Sequence, residues 1–439
     1  MSPGESPSAD FAQNSVHDSS AVQAPSAPRD TGAPPIPTLA EAVGMCPTPE
    51  PGHPRLRRFA EHEPSYGARP APLWPRVGVS VESPSTALSF GWMTDAQTLA
   101  SEAQIELPDG SIASIQGHSF TWDDIEKEPR RRMHEVHACG LPAASALRYR
   151  VGGEGHWSEW YPIRTLPEPG SDTPWRAVVF GDSRSSMRIF GQLADQIAAL
   201  QPDAVFFPGD IVGDGRVQTY WDAWFPAGQR MLASTLFIPI IGNHEYHAVN
   251  YFGQFALPGD ERNFILPIGR THWVIWDDDG PPERVISTIV PKTQELFARI
   301  PADAERILMV HHQPMYSASG HGSDRNLRAH VLPSVQEVLP DLVFNAHCHN
   351  YERSCRIAND ACVSAEVPGT RYIVAAGAGA NLRESGRLWF TEYSESSYHF
   401  VTLDIQGVEV RAEVHRIDGE IIDRWELEPA FTRGDDLGR

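Results

Sequence analysis

Five stretches of this chain run from apolar residues straight into Asp, Asn or His. They are Val179-Phe180-Gly181-Asp182, Phe207-Pro208-Gly209-Asp210, Ile241-Gly242-Asn243-His244, Met309-Val310-His311-His312, and Phe344-Asn345-Ala346-His347-Cys348-His349. Each reads as an apolar strand with a polar tip, and open α/β sheets hold their ligands at the carboxyl ends of their strands. One such tip is as readily a hydrogen-bonded turn. Five of them, with carboxylate, amide and imidazole mixed, ask for a shared ligand. Mixed oxygen and nitrogen donors suit Zn, Mn or Fe, whereas an all-oxygen set suits Ca or Mg. In the central tip, Gly242 lets the backbone turn, Asn243 offers a neutral oxygen ligand, and His244 offers an acid, base or donor near neutral pH.

The elements that must position these tips follow from hydrophobic pattern. Residues 177–180, 204–207, 237–241, 273–276, 307–310 and 342–345 read as strands, and 189–200, 219–232, 294–300 and 327–338 as helices. Alternating strands and helices imply a mainly parallel sheet covered on both faces. The end of the chain reverts to strands at 372–376, 399–404, 408–416 and 421–427, the last two joined through the hairpin signal Ile417-Asp418-Gly419-Glu420. A β-rich second sheet packed on the first gives a layered α/β sandwich with helices outside. Upstream, short alternating runs between 72 and 165, separated by turn residues, indicate a small antiparallel sandwich with Trp92 and Tyr149 in its core. The expected organisation is a Ser/Pro/Ala-rich disordered tail over 1–70, a β-sandwich over 71–167, a Pro/Gly linker, and an α/β part over 174–430. One helical turn is expected over 39–45.

Composition narrows the partners. The chain has 439 residues and a net charge of −21, with Lys127 and Lys292 as its two lysines. No basic run offers a nucleic-acid surface, and an anionic substrate needs local compensation, which bound metal cations supply. No stretch approaches the roughly 20 apolar residues of a membrane span, and the first residues lack a secretory leader's basic and apolar regions. Five scattered cysteines fit reduced thiols and a cytoplasmic setting, although Cys355 and Cys362 bracket a short loop that an oxidising setting would close.

The order GD, GD, GNH, HxP, HxH resembles the calcineurin-like metallophosphoesterases. The run His347-Cys348-His349-Asn350-Tyr351-Glu352-Arg353 is similar to the purple acid phosphatase branch, as is the preceding sandwich, which resembles that branch's fibronectin-type domain. The resemblance implies a four-layer αββα fold and two metal ions, Fe, Zn or Mn. Asp210 would bridge them, Asp182 and His349 would complete the first site, and Asn243, His312 and His347 the second. His312 stands two residues before Pro314, as the family ligand does. His311 is then a strand residue and Cys348 a packed one. The implied reaction is hydrolysis of a phosphomonoester, with phosphodiesters as the runner-up. Hydroxide generated between the ions attacks phosphorus, and His244 protonates the leaving oxygen or stabilises its charge. His321 occupies the place of a substrate-facing histidine, and Glu245 is positioned to orient the His244 ring.

Two departures from the family bear on the first metal. Gly213 stands where the purple branch has a ligating, colour-giving tyrosine, and Arg184 stands where other branches have a histidine ligand. Water or Asp214 would fill the gap, and divalent ions are favoured over a ferric site. Arg184 itself is a candidate phosphate contact, since a guanidinium fork matches phosphate oxygens. A competing reading is a non-catalytic binding protein with a relic metal site.

Overall fold

The computed structural model describes residues 38–47, 53–79, 81–127 and 129–428. Two sheets stack face to face in the C-terminal part. At the centre of the first, Trp175–Val179, Ala204–Phe207 and Leu236–Pro239 run parallel, and His399–Gln406, Glu409–Arg416 and Ile421–Glu426 extend one side as an antiparallel meander. In the second, Thr271–Ile275, Arg306–Val310, Leu342–Asn345 and Thr370–Ala375 run parallel. Side-chain alternation explains the layering. Leu308 and Val310 enter the core between the sheets, while Ile307 and Met309 join the cluster beneath Val290–Phe297 and Leu332–Val338. Phe206 and Trp273 stack across the sheet interface at 3.8 Å.

The first sheet's outer face is covered by Met187–Leu200 and Gln218–Ser234. The former starts where the Ser186 side chain accepts the Ile189 N–H, and it buries Ile189, Phe190, Leu193, Ala194 and Ile197 along one stripe. Both helices follow parallel strands, so each strand's carboxyl end lies at the same edge. The expected helix over 327–338 is two shorter ones, Arg325–His330 and Leu332–Val338, with Pro333 in the first turn of the second.

In the N-terminal sandwich, Tyr161–Arg164, Ala146–Gly152, Glu102–Glu106 and Ile112–Gln116 form one sheet. Trp92 and Tyr149 are fully buried, and the Tyr149 ring packs on Phe90 with centroids 4.6 Å apart. The facing sheet does not stop at the sandwich. Leu73–Gly78 pairs in parallel with Leu236–Pro239 through Val77 and Leu236, so one twelve-stranded sheet runs through both parts among the described residues. The Tyr149 hydroxyl donates to the Ala233 carbonyl at 2.9 Å across the same junction. The pattern change near 167–174 therefore marks a change of architecture within a continuous sheet.

Two expectations need correction. The expected tail to residue 70 contains ordered elements: a 3-10 turn at Leu39–Ala42 followed by short strands at Gly44–Met45 and Arg57–Glu61. These segments have little apolar periodicity because they are held by edge pairing, Gly44 with Cys139 and Ala60 with Ser119. The expectation for residues 1–37 lies outside the described residues. The cysteines are also not all thiols. Cys46 bonds to Cys139 and Cys355 to Cys362, leaving Cys348 free and buried. The first bond spans 93 residues, a pairing that spacing alone cannot show, and such bonds persist in oxidising compartments. No described helix is long and apolar enough to cross a membrane.

Candidate metal centre

The five tips converge at one edge of the sheet pair. Asp182, Asp210, His347 and His349 all have positive φ, from 53° to 67°. Non-glycine residues reach this region at a cost that surrounding structure must offset, and such residues concentrate at functional sites. Glycines allow the close approach. A Cβ on Gly242 would lie 2.6 Å from Asp210 Oδ1, and one on Gly209 would lie 2.7 Å from His312 Nδ1. Gly242 is thus required for space, not for a left-handed turn.

Four donors surround one point. His312 Nε2 lies 3.3 Å from Asp210 Oδ1, 3.1 Å from Asn243 Oδ1 and 3.2 Å from His347 Nδ1. The His312 Nδ1–H donates to the Pro208 carbonyl at 2.7 Å. A carbonyl can only accept, so in the neutral ring Nε2 carries the lone pair and is free to ligate. Burial lowers the His312 imidazole, but the Asp210, Asp182 and Asp278 carboxylates outweigh it and raise it to about 9. Burial, then the His312 charge, holds His347 at about 2. Opposed charges packed this closely, with a proton as their positive member, are the setting in which a cation displaces the proton.

A second group lies alongside. His349 Nε2 is 3.3 Å from Asp182 Oδ1, and its Nδ1–H donates to the Asn381 carbonyl at 2.8 Å. Asp182 Oδ2 accepts the His347 N–H at 2.7 Å. Burial, with a further push from Asp210, raises the Asp182 carboxyl. Arg184 is part of this group. Its Nε lies 3.2 Å from Asp210 Oδ2, and its Nη2 lies 3.2 Å from His349 Nε2. The guanidinium of Arg184, the candidate phosphate contact, thus lies against Asp210 and His349. Asp214 is committed to Arg216, with contacts of 2.8 and 2.6 Å, and its carboxylate is not presented to this group.

The remaining candidates divide. The His244 Nδ1–H donates to the Gly213 carbonyl at 2.7 Å, which turns Nε2 toward Asp210 Oδ2 at 3.9 Å. His321 is exposed, and its ring stacks 4.5 Å from that of His347. Burial and then the Arg383 charge lower it. Arg383 lies in a loop with no recognisable sequence pattern, so nothing in the sequence marks it individually. His311 stands outside the cluster, bonded to Asp278 at 2.7 Å and to Asn345 at 2.8 Å, with Trp276 stacked on it. Cys348 is packed among buried apolar residues.

Glu245 does something other than orient His244. Its carboxylate accepts the backbone N–H groups of Asp210 at 2.9 Å, Ile211 at 2.9 Å and Gly242 at 2.7 Å. It therefore ties two strand tips together. Burial, then the Asp210 charge, pushes the Glu245 carboxyl up to about 8, against three donors that favour the ionised form; a cation beside Asp210 cancels the opposing charge.

These donors fit a transition-metal cation. Three ligating atoms, from Asp210, His312 and His347, lie within 4.8 Å of one another, as do three from Asp182, Asp210 and His349. Comparison with known proteins agrees with that chemistry. Residues 176–351 match the calcineurin-like phosphoesterase family model, and residues 75–165 match the model of the purple acid phosphatase N-terminal domain. A protein of Arabidopsis thaliana named probable inactive purple acid phosphatase 1 is 24% identical over 319 residues, covering 59% of this chain and 51% of its own. A nucleotide pyrophosphatase/phosphodiesterase of Hordeum vulgare is 24% identical over 279 residues, covering 52% and 74%. The chain spans about half the length of the Arabidopsis relative. The structure of a purple acid phosphatase from yellow lupin (Lupinus luteus) seeds superposes with a TM-score of 0.69 at 17% identity, over 83% of this chain and 75% of that one.

Proposed function

On the premise that this chain carries a calcineurin-like phosphoesterase domain behind a purple acid phosphatase N-terminal domain, we propose that it is a metal-dependent hydrolase of phosphate monoesters. The observation that carries the reading is the cluster of Asp210, Asn243, His312 and His347 donors, with His244 Nε2 facing it. Asp182 and His349, together with Asp210, would hold a second ion. Two bound ions, Fe, Zn or Mn, would supply an activated water and a clamp on the oxygens of an in-line displacement.

The chain's own residues do the rest. His244, fixed through Nδ1 by Gly213, presents Nε2 to the site; protonated there, it donates to the leaving oxygen. His321 and Arg383 flank His347 and His349 on the open side and offer donors to phosphate oxygens, offsetting the repulsion from a net charge of −21. Glu245 holds Asp210 and Gly242 in register, so that ligand and acid keep their spacing.

The position of Arg184 favours a second reading of the same site. In it Asp210, Asn243, His312 and His347 would hold one ion, and the Arg184 guanidinium would supply the positive charge beside Asp182 and His349. Metal titration separates the readings, with two ions per chain at this centre for the first and one for the second. The same sample, assayed on an aryl phosphate and on its diester, ranks the substrate classes, diesters being the class that the barley relative's name carries. Stoichiometric metal without turnover of either ester would leave a metal-binding protein and not an enzyme.

A further inference from the structure

Away from that centre, the N-terminal sandwich gathers a second set of donors. His118, on the strand His118–Thr121, pairs directly with Glu135 on Arg131–Cys139, and His137 stands two residues further along. Directly paired and i, i+2 residues share a sheet face. That face is closed, with the side chains of His118, Glu135 and His137 only 8%, 7% and 1% exposed.

Histidine–carboxylate spacings in this protein run from hydrogen bonds at 2.7 Å to looser pairs such as His415–Glu413 at 3.6 Å. Where a histidine of this protein is hydrogen-bonded to a carboxylate, the separation is 2.7 Å, as for His311 with Asp278 and His247 with Asp277. At the candidate metal centre, His312–Asp210 and His349–Asp182 stand 3.3 Å apart. Glu135 Oε2 lies 3.4 Å from His118 Nε2 and 3.3 Å from His137 Nε2, the spacing seen at the candidate metal centre. Two ligands held at about 2.0–2.1 Å by a tetrahedral ion are about 3.3–3.4 Å apart. His118 Nε2 is buried and makes no hydrogen bond.

We infer that His118, Glu135 and His137 bind a divalent transition-metal ion of the zinc type, separate from the phosphoesterase centre. The three donor atoms lie within 4.8 Å of one another. Two imidazoles and a carboxylate are a donor set suited to zinc. Phe59, an exposed residue, stacks on His118 with ring centroids 4.8 Å apart. The ion fastens two adjacent strands of the sheet that continues into the catalytic part, so its role is stability and not turnover.

The test uses the full chain carrying Asp210→Ala and His347→Ala, which disable the catalytic centre, stripped with a chelator and reloaded with zinc alone. One zinc per chain is expected, falling to none when His118→Gln is added, and chelation should lower Tm while all three donors are intact. The chelation arm needs no substitution in the sandwich, so it holds even if His118→Gln folds poorly. With the catalytic centre intact, His118→Gln should leave kcat on an aryl phosphate within twofold at 25 °C. No bound zinc in the Asp210→Ala, His347→Ala background and a Tm indifferent to chelator would overturn the inference and leave Glu135 in an ion pair with two imidazoles. Because that background lacks the phosphoesterase site, this failure is distinct from failure of the proposed function.

Discussion

Replacing Glu245 by glutamine isolates the fixture that holds the centre together. In the structure Oε2 accepts from the N–H groups of Asp210 and Gly242, and Oε1 from that of Ile211. A glutamine has one carbonyl oxygen, so whichever way it turns, at least one buried N–H meets an NH2 group. An unsatisfied buried donor costs about 1–3 kcal/mol, and the better orientation loses one such bond. Glu245→Gln should therefore lower stability by about 1–3 kcal/mol. It should also weaken metal affinity by roughly 10–100-fold, the effect typical of a group that orients a ligand without binding the metal. Differential scanning calorimetry and a metal titration of wild type and variant read both quantities. If the variant keeps wild-type Tm and metal affinity but loses kcat, Glu245 acts on the His244 ring after all and the account of the tied strand tips is wrong.

Asn243→Ala should deplete metal and recover partly in excess metal, whereas His244→Ala should keep its metal and lose about 10²–10⁴-fold in kcat, less for a nitrophenyl than for an alkyl phosphate; metal content and kcat of both variants decide, and inverted results would invert the roles. Arg184→Ala removes a cation 3.2 Å from Asp210 and His349, so a second ion should bind more tightly in a metal titration, and unchanged affinity would mean that the arginine swings clear when metal enters. A thiol count on denatured, unreduced protein should find one thiol, Cys348, among five cysteines, and five would refute both disulfides. His134 is fully buried between Thr94 and Ser101, and burial and then the Arg132 charge lower it to about 3. Between that value and its ordinary 6.5 the unfolded chain binds the extra proton, so stability attributable to His134 is present above 6.5 and falls with decreasing pH, by up to about 1.4 kcal/mol per unit. His134→Gln should flatten Tm against pH in that window relative to wild type, and parallel curves would refute the assignment.

Much of this was legible because strand tips advertise themselves. An apolar run that stops at Gly-Asp or Gly-Asn-His marks both a strand and a candidate ligand, and Asp182, Asp210, Asn243, His312, His347 and His349 lie together in the structure. What stayed hidden depends on partners distant in sequence. Cys46 and Cys139 are 93 residues apart, and the strand at Arg57–Glu61 is defined by its neighbour and not by its own pattern. The continuity of the large sheet rests on a single registered pair, Val77 with Leu236. Glu245 misled because adjacency to His244 suggested a shared task, while its carboxylate turns back to the backbone of another loop. Arg184 could be read for its chemistry, which suits phosphate, but not for its partners Asp210 and His349, which come from strand tips distant in sequence.

The central claim is that Asp210, Asn243, His312 and His347 hold a metal on which phosphate-ester hydrolysis depends. The most direct measurement is the turnover of an aryl phosphate by wild type and His347→Ala, recorded as stripped protein is reloaded with metal and bound metal is counted in the same samples. Wild-type activity should rise in proportion to occupancy from a metal-free zero. His347→Ala should need far more metal and reach less activity. Activity that persists in chelator, or a fully loaded wild type that hydrolyses no ester, would contradict it.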